Sequence, residues 1–419
     1  MKKRAFLCLC ALLLLLTGCG KEQIGVFVVT YGETPPGDTR PAPPPEPEPQ
    51  PESHPEPPSE PEPPPDPKQE TVEALLAEMT LEEKVGQMFF VRCPDVGAAE
   101  RISEYHLGGC LLFTRDFKDS AGEWLSESDF TQKILGYQEI SSLPLLIGVD
   151  EEGGTVARAS RNPNLFTEKF KSPQKVFSAG GMEAIALDAV DKNRDLLRYG
   201  INVNFAPVAD VSTDPADFMY DRAFGQDAEA TAAYVETVVT AAGGVSAGNG
   251  DGVYKIGAVL KHFPGYGNNA DTHTGVAIDE RPYERFLEED FLPFRAGIEA
   301  GAGAVLMSHN VVVSMDPDLP ASLSPEVHRI LREELDFQGV ILTDDMAMDA
   351  VKSYARDGSA AVLAVLAGND MVVTSDFARQ IPQVVEAVNG GTIDKALIDR
   401  AVERVLGWKY DLGLLGGVV

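Results

Sequence analysis

The residues best suited to chemistry lie at positions 261–273, where a lysine, two histidines and a carboxylate stand close to two glycines. This stretch directly follows the apolar run 256–260. A polar segment with glycines after an apolar run is typical of a buried strand that ends in an active-site loop. Asp271 and His273 are two residues apart, so the carboxylate could hold the imidazole and fix its tautomer. We therefore predict that His273 transfers protons, with Asp271 as its partner.

A second candidate follows the apolar run 340–342, where Thr343 precedes two carboxylates. A carboxylate at the end of a buried strand is rigidly placed, which suits a nucleophile or a general base. Asp345 lies one step closer to a helix expected from near Met346, and it suits a helix cap. We predict that Asp344 carries the chemistry and that Asp345 caps the helix.

Other charged residues are better suited to binding a ligand than to reacting with it. Asp150 precedes 151–154, whose paired glycines let a ligand approach the backbone, and its carboxylate could accept hydrogen bonds from vicinal hydroxyls. Arg158 and Arg222 lie in loops near strand ends and could donate to hydroxyl or carbonyl oxygens. Surface salt bridges are the alternative for each arginine.

The remaining histidines permit either ligand contacts or a metal site. His262 is expected to donate to a ligand, because neighbouring Lys261 disfavours an imidazolium. His309 follows another apolar run, and its role stays open between a wall of the site and a ligand contact. Metal is the main rival interpretation, but no H-x-H follows the first apolar run and no H-E-x-x-H occurs. Lys261 would also repel a divalent ion, so we expect no metal and no cofactor.

Eight short apolar runs predict the strands that position these groups. Most are separated by twenty or more residues with helical spacing, too long for hairpins and suited to helical crossovers. This alternation predicts an α/β fold, a (β/α)8 barrel with a single catalytic domain, and a doubly wound open sheet is the alternative. Polar groups follow six of the runs, and in a barrel the strand carboxyl ends converge on one rim. The runs lie at 89–91, 109–113, 144–149, 203–208, 256–260, 304–307, 340–342 and 371–374.

The chain begins with a processing signal. Basic residues 2–4 precede the apolar stretch 5–16, whose length of about twelve residues is short for a membrane span. The segment 16–19 resembles a bacterial lipobox, which implies cleavage before Cys19 and a lipid on its sulfur. A plain signal peptide is the alternative. We predict a signal peptide at 1–18 and an extracytoplasmic protein that is lipid-anchored to the bacterial cell membrane.

Residues 19–70 are predicted to be a spacer. In the part 41–70, fifteen residues are Pro and eight are acidic, a composition that cannot bury a core and predicts polyproline II or disorder. A Pro-rich ligand for a partner domain is the alternative. Globular composition starts at Thr71, so we assign 71–419 to the barrel domain. The net charge of −30 argues against nucleic acid or anionic lipid as a partner, and we expect a monomer.

Two cysteines lie in the body of the chain, Cys93 and Cys110. Cys93 ends one apolar run and Cys110 begins the next, which should place them on opposite rims of neighbouring parallel strands. We therefore predict two buried thiols, with a disulfide as the alternative for an exported chain.

Taken together, the motifs resemble glycoside hydrolase family 3, specifically its bacterial β-N-acetylglucosaminidases in a lipoprotein form. The matching segments lie at 79–88, 149–154, 202–210, 221–225, 261–273 and 343–348. The resemblance implies a retaining double displacement in which Asp344 attacks the anomeric carbon and His273, partnered by Asp271, is the acid/base. This differs from the two-carboxylate scheme of most glycosidases. It also implies that the sugar is bound by Asp150, Arg158, Arg222, Lys261 and His262.

The activity implied by this resemblance is the exo-cleavage of terminal β-linked N-acetylglucosamine from cell-wall-derived or related glycans. The alternatives are a phosphorylase or β-glucosidase of the same family, and an inactive sugar-binding lipoprotein. A histidine acid/base would tolerate an incoming phosphate anion better than a carboxylate would. Three features depart from the family pattern: Thr155 replaces a common arginine, Tyr266 replaces a histidine, and the Gly- and Ser-rich 243–253 is expected to be an inserted loop.

Overall fold

The computed structural model describes residues 66–249, 252–269, 275–354 and 360–416. Three residues singled out above, Cys19, Asp271 and His273, lie outside these described residues. So do the predicted signal peptide and nearly all of the predicted spacer.

Eight parallel strands form one sheet in the order β7-β6-β5-β4-β3-β2-β1-β8. Each strand therefore pairs with its neighbour in the chain, and β8 pairs with β1. A parallel bridge between Leu342 and Met371 joins β7 to the start of β8 and closes the ring. The predicted barrel is confirmed, and the open sheet is excluded. The strands are β1 (Phe89–Arg92), β2 (Gly109–Leu112), β3 (Leu146–Val149), β4 (Val203–Asn204), β5 (Gly257–Phe263), β6 (Ala304–Met307), β7 (Val340–Thr343) and β8 (Val372–Thr374).

Helices fill the crossovers between these strands. Two of them are extended by π-helical turns, at Phe286–Asp290 and Ile330–Glu334. No helix in the described ranges has both the length and the apolar character that a membrane span requires. The α-helices span Pro67–Glu78, Leu81–Gln87, Ala98–Glu104, Glu127–Ile140, Pro173–Arg198, Ala228–Gly243, Tyr283–Arg285, Phe291–Glu299, Pro325–Arg329, Asp349–Lys352, Ala360–Ala367, Phe377–Asn389 and Lys395–Asp411.

Helical structure begins before Thr71, where the composition becomes globular. Asp66 caps the helix Pro67–Glu78 by accepting a hydrogen bond from the backbone of Lys68. The same lysine reaches Asp411 in the last helix, with an N–O distance of 2.5 Å. The first helix thus begins four residues before Thr71, because local capping by Asp66 and Pro67 outweighs the Pro-rich composition around them.

Alternation along the strands decides which side chains reach the mouth of the barrel. Phe90, Leu111 and Leu146 belong to the cluster that fills the barrel interior. Successive side chains on a strand point to opposite faces. A residue two or four positions after one of these inward-pointing residues therefore also points inward, at the carboxyl end of the strand. By this count, Arg92, Phe113 and Asp150 lie at the mouth of the barrel. Lys261 and Asp344 lie there as well, because each is two positions after an interior residue, Val259 or Leu342.

The inserted segment before β5 is not a loop. Ser246–Asn249 and Gly252–Lys255 form an antiparallel pair, and Lys255 donates a backbone hydrogen bond to Leu412 at 3.0 Å. The glycines in this segment hide the alternation that normally reveals a strand, which is why the sequence predicted a loop there.

Both body cysteines are buried and free, as predicted. The reason given for that prediction is wrong. Val91 lies opposite Cys110 in the ladder between β1 and β2, and the backbone of Cys93 donates to Leu111. The stagger of the two strands thus places the thiols near each other, and the neighbouring Cys110 thiol lowers the pKa of Cys93.

Candidate active site

Lys261 is the centre of a buried ion network at the mouth of the barrel. It projects from β5, and its Nζ lies 2.7 Å from Asp150 Oδ1 and 2.7 Å from Glu152 Oε1. Burial alone would lower the pKa of Lys261, but these two carboxylates raise it above the ordinary lysine value. The side chain is therefore a fixed cation that holds Asp150 in place after β3.

Glu152 also holds Arg222, which comes from the long loop after β4. Arg222 donates from Nε at 3.0 Å and from Nη2 at 2.8 Å, a two-pronged contact that sets the plane of the guanidinium. Burial would raise the pKa of Glu152, but the Arg222 and Lys261 cations outweigh it and hold that pKa well below the ordinary value. A single carboxylate thus fixes two of the predicted ligand-binding cations.

His262 lies beside this network with both ring nitrogens engaged. Its Nδ1 is 2.7 Å from Asp210 Oδ2, and its Nε2 is 3.2 Å from Arg222 Nη2. A carboxylate only accepts, so Nδ1–H is the donor and Nε2 accepts from Arg222. These two contacts correspond to the Nδ1–H tautomer of the ring. In this structure the ring N–H is donated to Asp210 and not to a ligand, so the predicted donation to a ligand is not what the geometry shows.

Asp344 lies at the carboxyl end of β7, on the same rim. Its backbone N–H donates to Met307 at 2.9 Å, and its Oδ1 accepts from the backbone of Asp345 at 2.8 Å. The side chain is half-buried. The backbone of β7 and β6 thus sets its position, and the carboxylate remains at the mouth of the barrel.

The expected helix cap at Asp345 is wrong. Its Oδ1 accepts from the backbone of Ala347 at 2.9 Å, and this closes a turn. The next helix begins only at Asp349. An aspartate can close such a local turn as readily as it caps a helix, and the sequence did not distinguish the two.

His309 forms part of the wall of the site. Its Nε2 donates to the carbonyl of Asp345 at 3.1 Å, and its Nδ1 lies 2.7 Å from the hydroxyl of Ser322. The carbonyl only accepts, so the ring is held as the Nε2–H tautomer. His309 thus braces the turn that follows Asp344.

Glu151 has a different role from its neighbour Glu152. It is buried and accepts hydrogen bonds from the backbones of Arg158 at 2.9 Å and Ala159 at 2.8 Å, and from the side chain of Ser160. Burial is the main cause that raises the pKa of Glu151, and these hydrogen bonds oppose it. The glutamate therefore fixes the backbone of the loop that carries Arg158.

The loop that leaves β5 is pinned up to Asn269. Asp210 accepts from the backbone of Tyr266 at 2.8 Å, and Asn269 donates to Asp279 Oδ2 at 2.8 Å. Gly267 has a φ of +52°, and a Cβ there would lie 2.5 Å from the guanidinium carbon of Arg281. The predicted Asp271 and His273 follow Asn269 directly and lie outside the described residues.

Three contributors to this site were missed by sequence reasoning. Glu152 and Glu151 were overlooked because two adjacent glutamates give no sign of which one turns toward the cations. Arg281 was missed because no motif marks it in the sequence, and its ion pairs with Asp279 and Asp290 hold it beside the loop. Within the described residues, no group of three or more His, Cys, Asp or Glu side chains is arranged to hold a metal ion.

The sequence matches a family of known enzymes. Residues 80–407 match the glycosyl hydrolase family 3 N-terminal domain. A beta-hexosaminidase of Xanthomonas oryzae pv. oryzae (strain MAFF 311018) is 34% identical over 339 residues, which span 77% of this chain and 92% of that protein.

Two solved structures share the fold. A glycoside hydrolase family 3 beta-N-acetylglucosaminidase from Paenibacillus sp. str. FPU-7 matches with a TM-score of 0.70 and 30% identity, over 80% of this chain and 62% of that one. A beta-N-acetylhexosaminidase from Beutenbergia cavernae DSM 12333 matches with a TM-score of 0.67 and 28% identity, over 80% of this chain and 99% of that one.

A closed parallel barrel with carboxylates and cations gathered at the carboxyl ends of its strands is the architecture of a (β/α)8 enzyme. With the similarities above, that enzyme is a glycoside hydrolase. The chain belongs to glycosyl hydrolase family 3, and the resemblance of its motifs to that family is confirmed.

Proposed function

We propose that this protein is a retaining exo-β-N-acetylglucosaminidase that removes terminal N-acetylglucosamine from cell-wall-derived or related glycans. The observation that carries the proposal is the shared rim: Asp344 ends β7, while Asp150 and Lys261 form an ion pair at the ends of β3 and β5. The names of the family relatives above support the sugar. A pyranose bound by the ion network would lie between these strand ends.

The proposed reaction proceeds in two displacements. In the first, a carboxylate oxygen of Asp344 attacks the anomeric carbon, and His273 gives a proton to the departing glycosidic oxygen. This breaks the glycosidic bond and leaves the sugar as an ester on Asp344. In the second, water attacks the same carbon and gives a proton to His273, and the bond from that carbon to Asp344 breaks, which frees the sugar and restores the carboxylate. Two inversions give net retention.

The ion network supplies the groups that would hold the sugar. Asp150 Oδ1 accepts from Lys261, and among the described residues its Oδ2 has no hydrogen-bond partner. That oxygen can accept from a ring hydroxyl. Lys261 and Arg222 are held by Glu152 and can donate to neighbouring hydroxyls without first being ordered, which lowers the entropic cost of binding. In this scheme His262 and Asp210 position Arg222.

Azide rescue tests both proposed roles in one experiment. Removing the nucleophile in Asp344→Gly should lower kcat for an aryl β-N-acetylglucosaminide by about 10³-fold or more, because the covalent path is lost. Added azide should restore turnover and give the α-glycosyl azide, identified by its anomeric coupling constant. For His273→Gly, azide should give the β-glycosyl azide through the intact ester. A β-azide from the Asp344 variant would rule out this assignment.

Asp376→Asn is the matched control, since Asp376 follows the neighbouring strand β8 and pairs with Arg379 at the protein surface. It should keep the wild-type kcat. The same assay with and without phosphate, scored for sugar-1-phosphate, separates hydrolysis from phosphorolysis.

We also propose that a lipid on Cys19 anchors the protein to the outer face of the bacterial cell membrane. The support is the sequence alone: a basic start, a short apolar stretch and small residues before the cysteine. Metabolic labelling with an alkyne fatty acid should mark the wild-type protein and not Cys19→Ser. Equal labelling of both would remove the anchor from the proposal.

A further inference from the structure

A buried histidine holds the turn that follows Asp344. The Nε2 of His309 donates to the carbonyl of Asp345 at 3.1 Å, and the backbone N–H of Asp345 donates to Asp344 Oδ1 at 2.8 Å. Because peptide units are planar, only the φ and ψ angles of Asp345 separate this carbonyl from that N–H. A group that fixes the carbonyl therefore also fixes the direction from which Asp344 receives a hydrogen bond.

One hydrogen bond does not fix an imidazole ring. The χ2 angle of a histidine has broad preferences, so a ring bound at Nε2 alone can still swing about its Cβ–Cγ bond. A second contact at Nδ1 stops that motion. His309 has this contact, since its Nδ1 lies 2.7 Å from the hydroxyl of Ser322. Because Nε2 carries the ring hydrogen, Nδ1 is the acceptor and the hydroxyl is the donor.

Ser322 is itself rigidly placed. It lies in the short 3₁₀ helix Ala321–Leu323 and is fully buried. Its backbone N–H donates to the carbonyl of Ser308 at 3.0 Å, and its own carbonyl accepts from Asn369 Nδ2 at 2.8 Å. These contacts tie Ser322 to the end of β6 and to the residues just before β8, so its hydroxyl reaches His309 from a fixed backbone.

We infer that Ser322 is a positioning residue for the nucleophile: its hydroxyl holds the ring of His309, which holds the turn whose N–H binds Asp344. The inference rests on the proposed function, because it takes Asp344 as the nucleophile. Ser322 is fully buried, so it acts through His309 and not on the sugar. The carboxylate is thus oriented before the substrate arrives, which is what a rigid reacting group requires.

Two variants of matched shape isolate the hydroxyl. The side chains in Ser322→Thr and Ser322→Val fill nearly the same volume, so any overpacking is common to both, and only threonine can donate to His309. Ser322→Ala removes the hydroxyl without overpacking. The value of kcat/KM for a dinitrophenyl β-N-acetylglucosaminide reports the attack by Asp344, since this leaving group departs without a proton from His273.

Loss of one neutral hydrogen bond should lower kcat/KM by roughly 3- to 10-fold. We expect this loss in Ser322→Val relative to Ser322→Thr, and in Ser322→Ala relative to the wild type. Inhibition by free N-acetylglucosamine should stay unchanged in all of them, because the groups proposed to bind the sugar are untouched.

Ser324→Ala is the control for a general loosening of this segment. Ser324 is also fully buried, and its Oγ caps the helix Pro325–Arg329 by accepting from the backbone of Val327 at 3.2 Å. The variant should lose stability in chemical denaturation, as Ser322→Ala should, but it should keep the wild-type kcat/KM.

Nuclear magnetic resonance of the full chain with isotope-labelled histidine tests the contact directly. The His309 signals are identified by their loss in His309→Gln. The resonance of a bare ring nitrogen moves when its hydrogen-bond donor is removed. The Nδ1 resonance should therefore move in Ser322→Val and Ser322→Ala and return toward the wild-type position in Ser322→Thr.

Three results would overturn the role given to Ser322 alone, in a wild-type protein that hydrolyses the glycoside. They are equal kcat/KM in Ser322→Thr and Ser322→Val, a loss of kcat/KM in Ser324→Ala as large as that in Ser322→Ala, and an Nδ1 resonance that ignores the hydroxyl. A wild-type protein that does not hydrolyse the glycoside overturns the proposed function, and the positioning role with it.

Discussion

Arg222 contacts Glu152 through two nitrogens, at 3.0 and 2.8 Å, while Lys261 contacts the same carboxylate at 2.7 Å. Glu152 is buried, so its charge is needed mainly to compensate these two cations. Arg222 and Lys261, the predicted sugar-binding cations, are thus both held by this one buried carboxylate.

Removal of Glu152 should destabilise the fold and the site together. Glu152→Ala leaves two buried cations facing each other, and breaking a buried ion pair typically costs about 3–5 kcal/mol of unfolding free energy. Chemical denaturation measures this loss. Glu104→Ala is the control, because it removes an exposed pair with Arg101, which should change stability by less than about 1 kcal/mol. Equal effects of the two substitutions would contradict the central role given to Glu152.

The tautomer of His262 should depend on Asp210. In Asp210→Asn the amide can donate N–H to the Nδ1 of His262, which favours the Nε2–H tautomer. Nε2 then carries a hydrogen that points at the Arg222 guanidinium, and the hydrogen bond from Arg222 to Nε2 is lost. Losing a hydrogen bond to a charged group costs about 1.5–3 kcal/mol, or about 10- to 100-fold in kcat/KM. We expect the loss mainly in KM, because Arg222 would bind the sugar in this scheme.

Asp217→Asn provides the comparison for Asp210→Asn. It lies in the same loop and accepts from Ser212 at 2.9 Å, away from the imidazole. It should keep the wild-type KM. A wild-type KM in Asp210→Asn would show that Arg222 does not need His262 to hold its position.

Lys409 should make stability depend on pH. It is buried in the last helix, and its Nζ donates to Gln87 Oε1 at 2.6 Å. Burial lowers the pKa of Lys409 to about 7, below the value of about 10.4 expected in the unfolded chain. Between these two values the unfolded state binds more protons, so this residue's contribution to unfolding free energy increases as pH rises through the window.

The measurement for Lys409 is the difference in unfolding free energy between wild type and Lys409→Met from pH 6 to pH 10. Subtracting the two unfolding free energies cancels the pH dependence that both proteins share because of their acidic surface. The stability of the wild type relative to Lys409→Met should increase as pH rises through this window. A pH-independent difference for Lys409→Met would mean that Lys409 remains charged in the fold.

Gly148 and Gly136 should respond in opposite directions to the same substitution. A Cβ at Gly148 would lie 2.7 Å from the Phe90 ring and 2.8 Å from the Phe205 ring inside the barrel, whereas a Cβ at Gly136 meets nothing within 4 Å. Gly148→Ala should therefore destabilise by about 1–3 kcal/mol through overpacking. Gly136→Ala lies within the helix Glu127–Ile140 and should stabilise by up to about 1 kcal/mol. Thermal unfolding measures both, and stabilisation by Gly148→Ala would contradict the packing described for the interior.

The barrel could be predicted from sequence because its strands are buried on both faces and appear as short apolar runs with helical gaps. The positions of Asp344, Asp150 and Lys261 followed from that prediction, since each ends a run. The site's supporting contacts could not be predicted in this way. Asp210 and His262 are 52 residues apart, and their hydrogen bond exists only because β4 and β5 are neighbours in the ring. The turn after Asp344 was also missed, because a local side-chain hydrogen bond replaced the expected helix.

The first helix enters the domain beside the last one, at the end of the barrel where the strands begin. Asp66 and Lys68 line a cavity of about 730 Å³ there together with Gly303 and Gly339, which immediately precede β6 and β7. The catalytic rim is at the other end of every strand. A fusion partner or immobilising tag attached ahead of Asp66 would therefore join the domain at the end where the strands begin. The opposite end, with the carboxyl ends of the strands, would stay accessible to soluble glycans when the enzyme is immobilised.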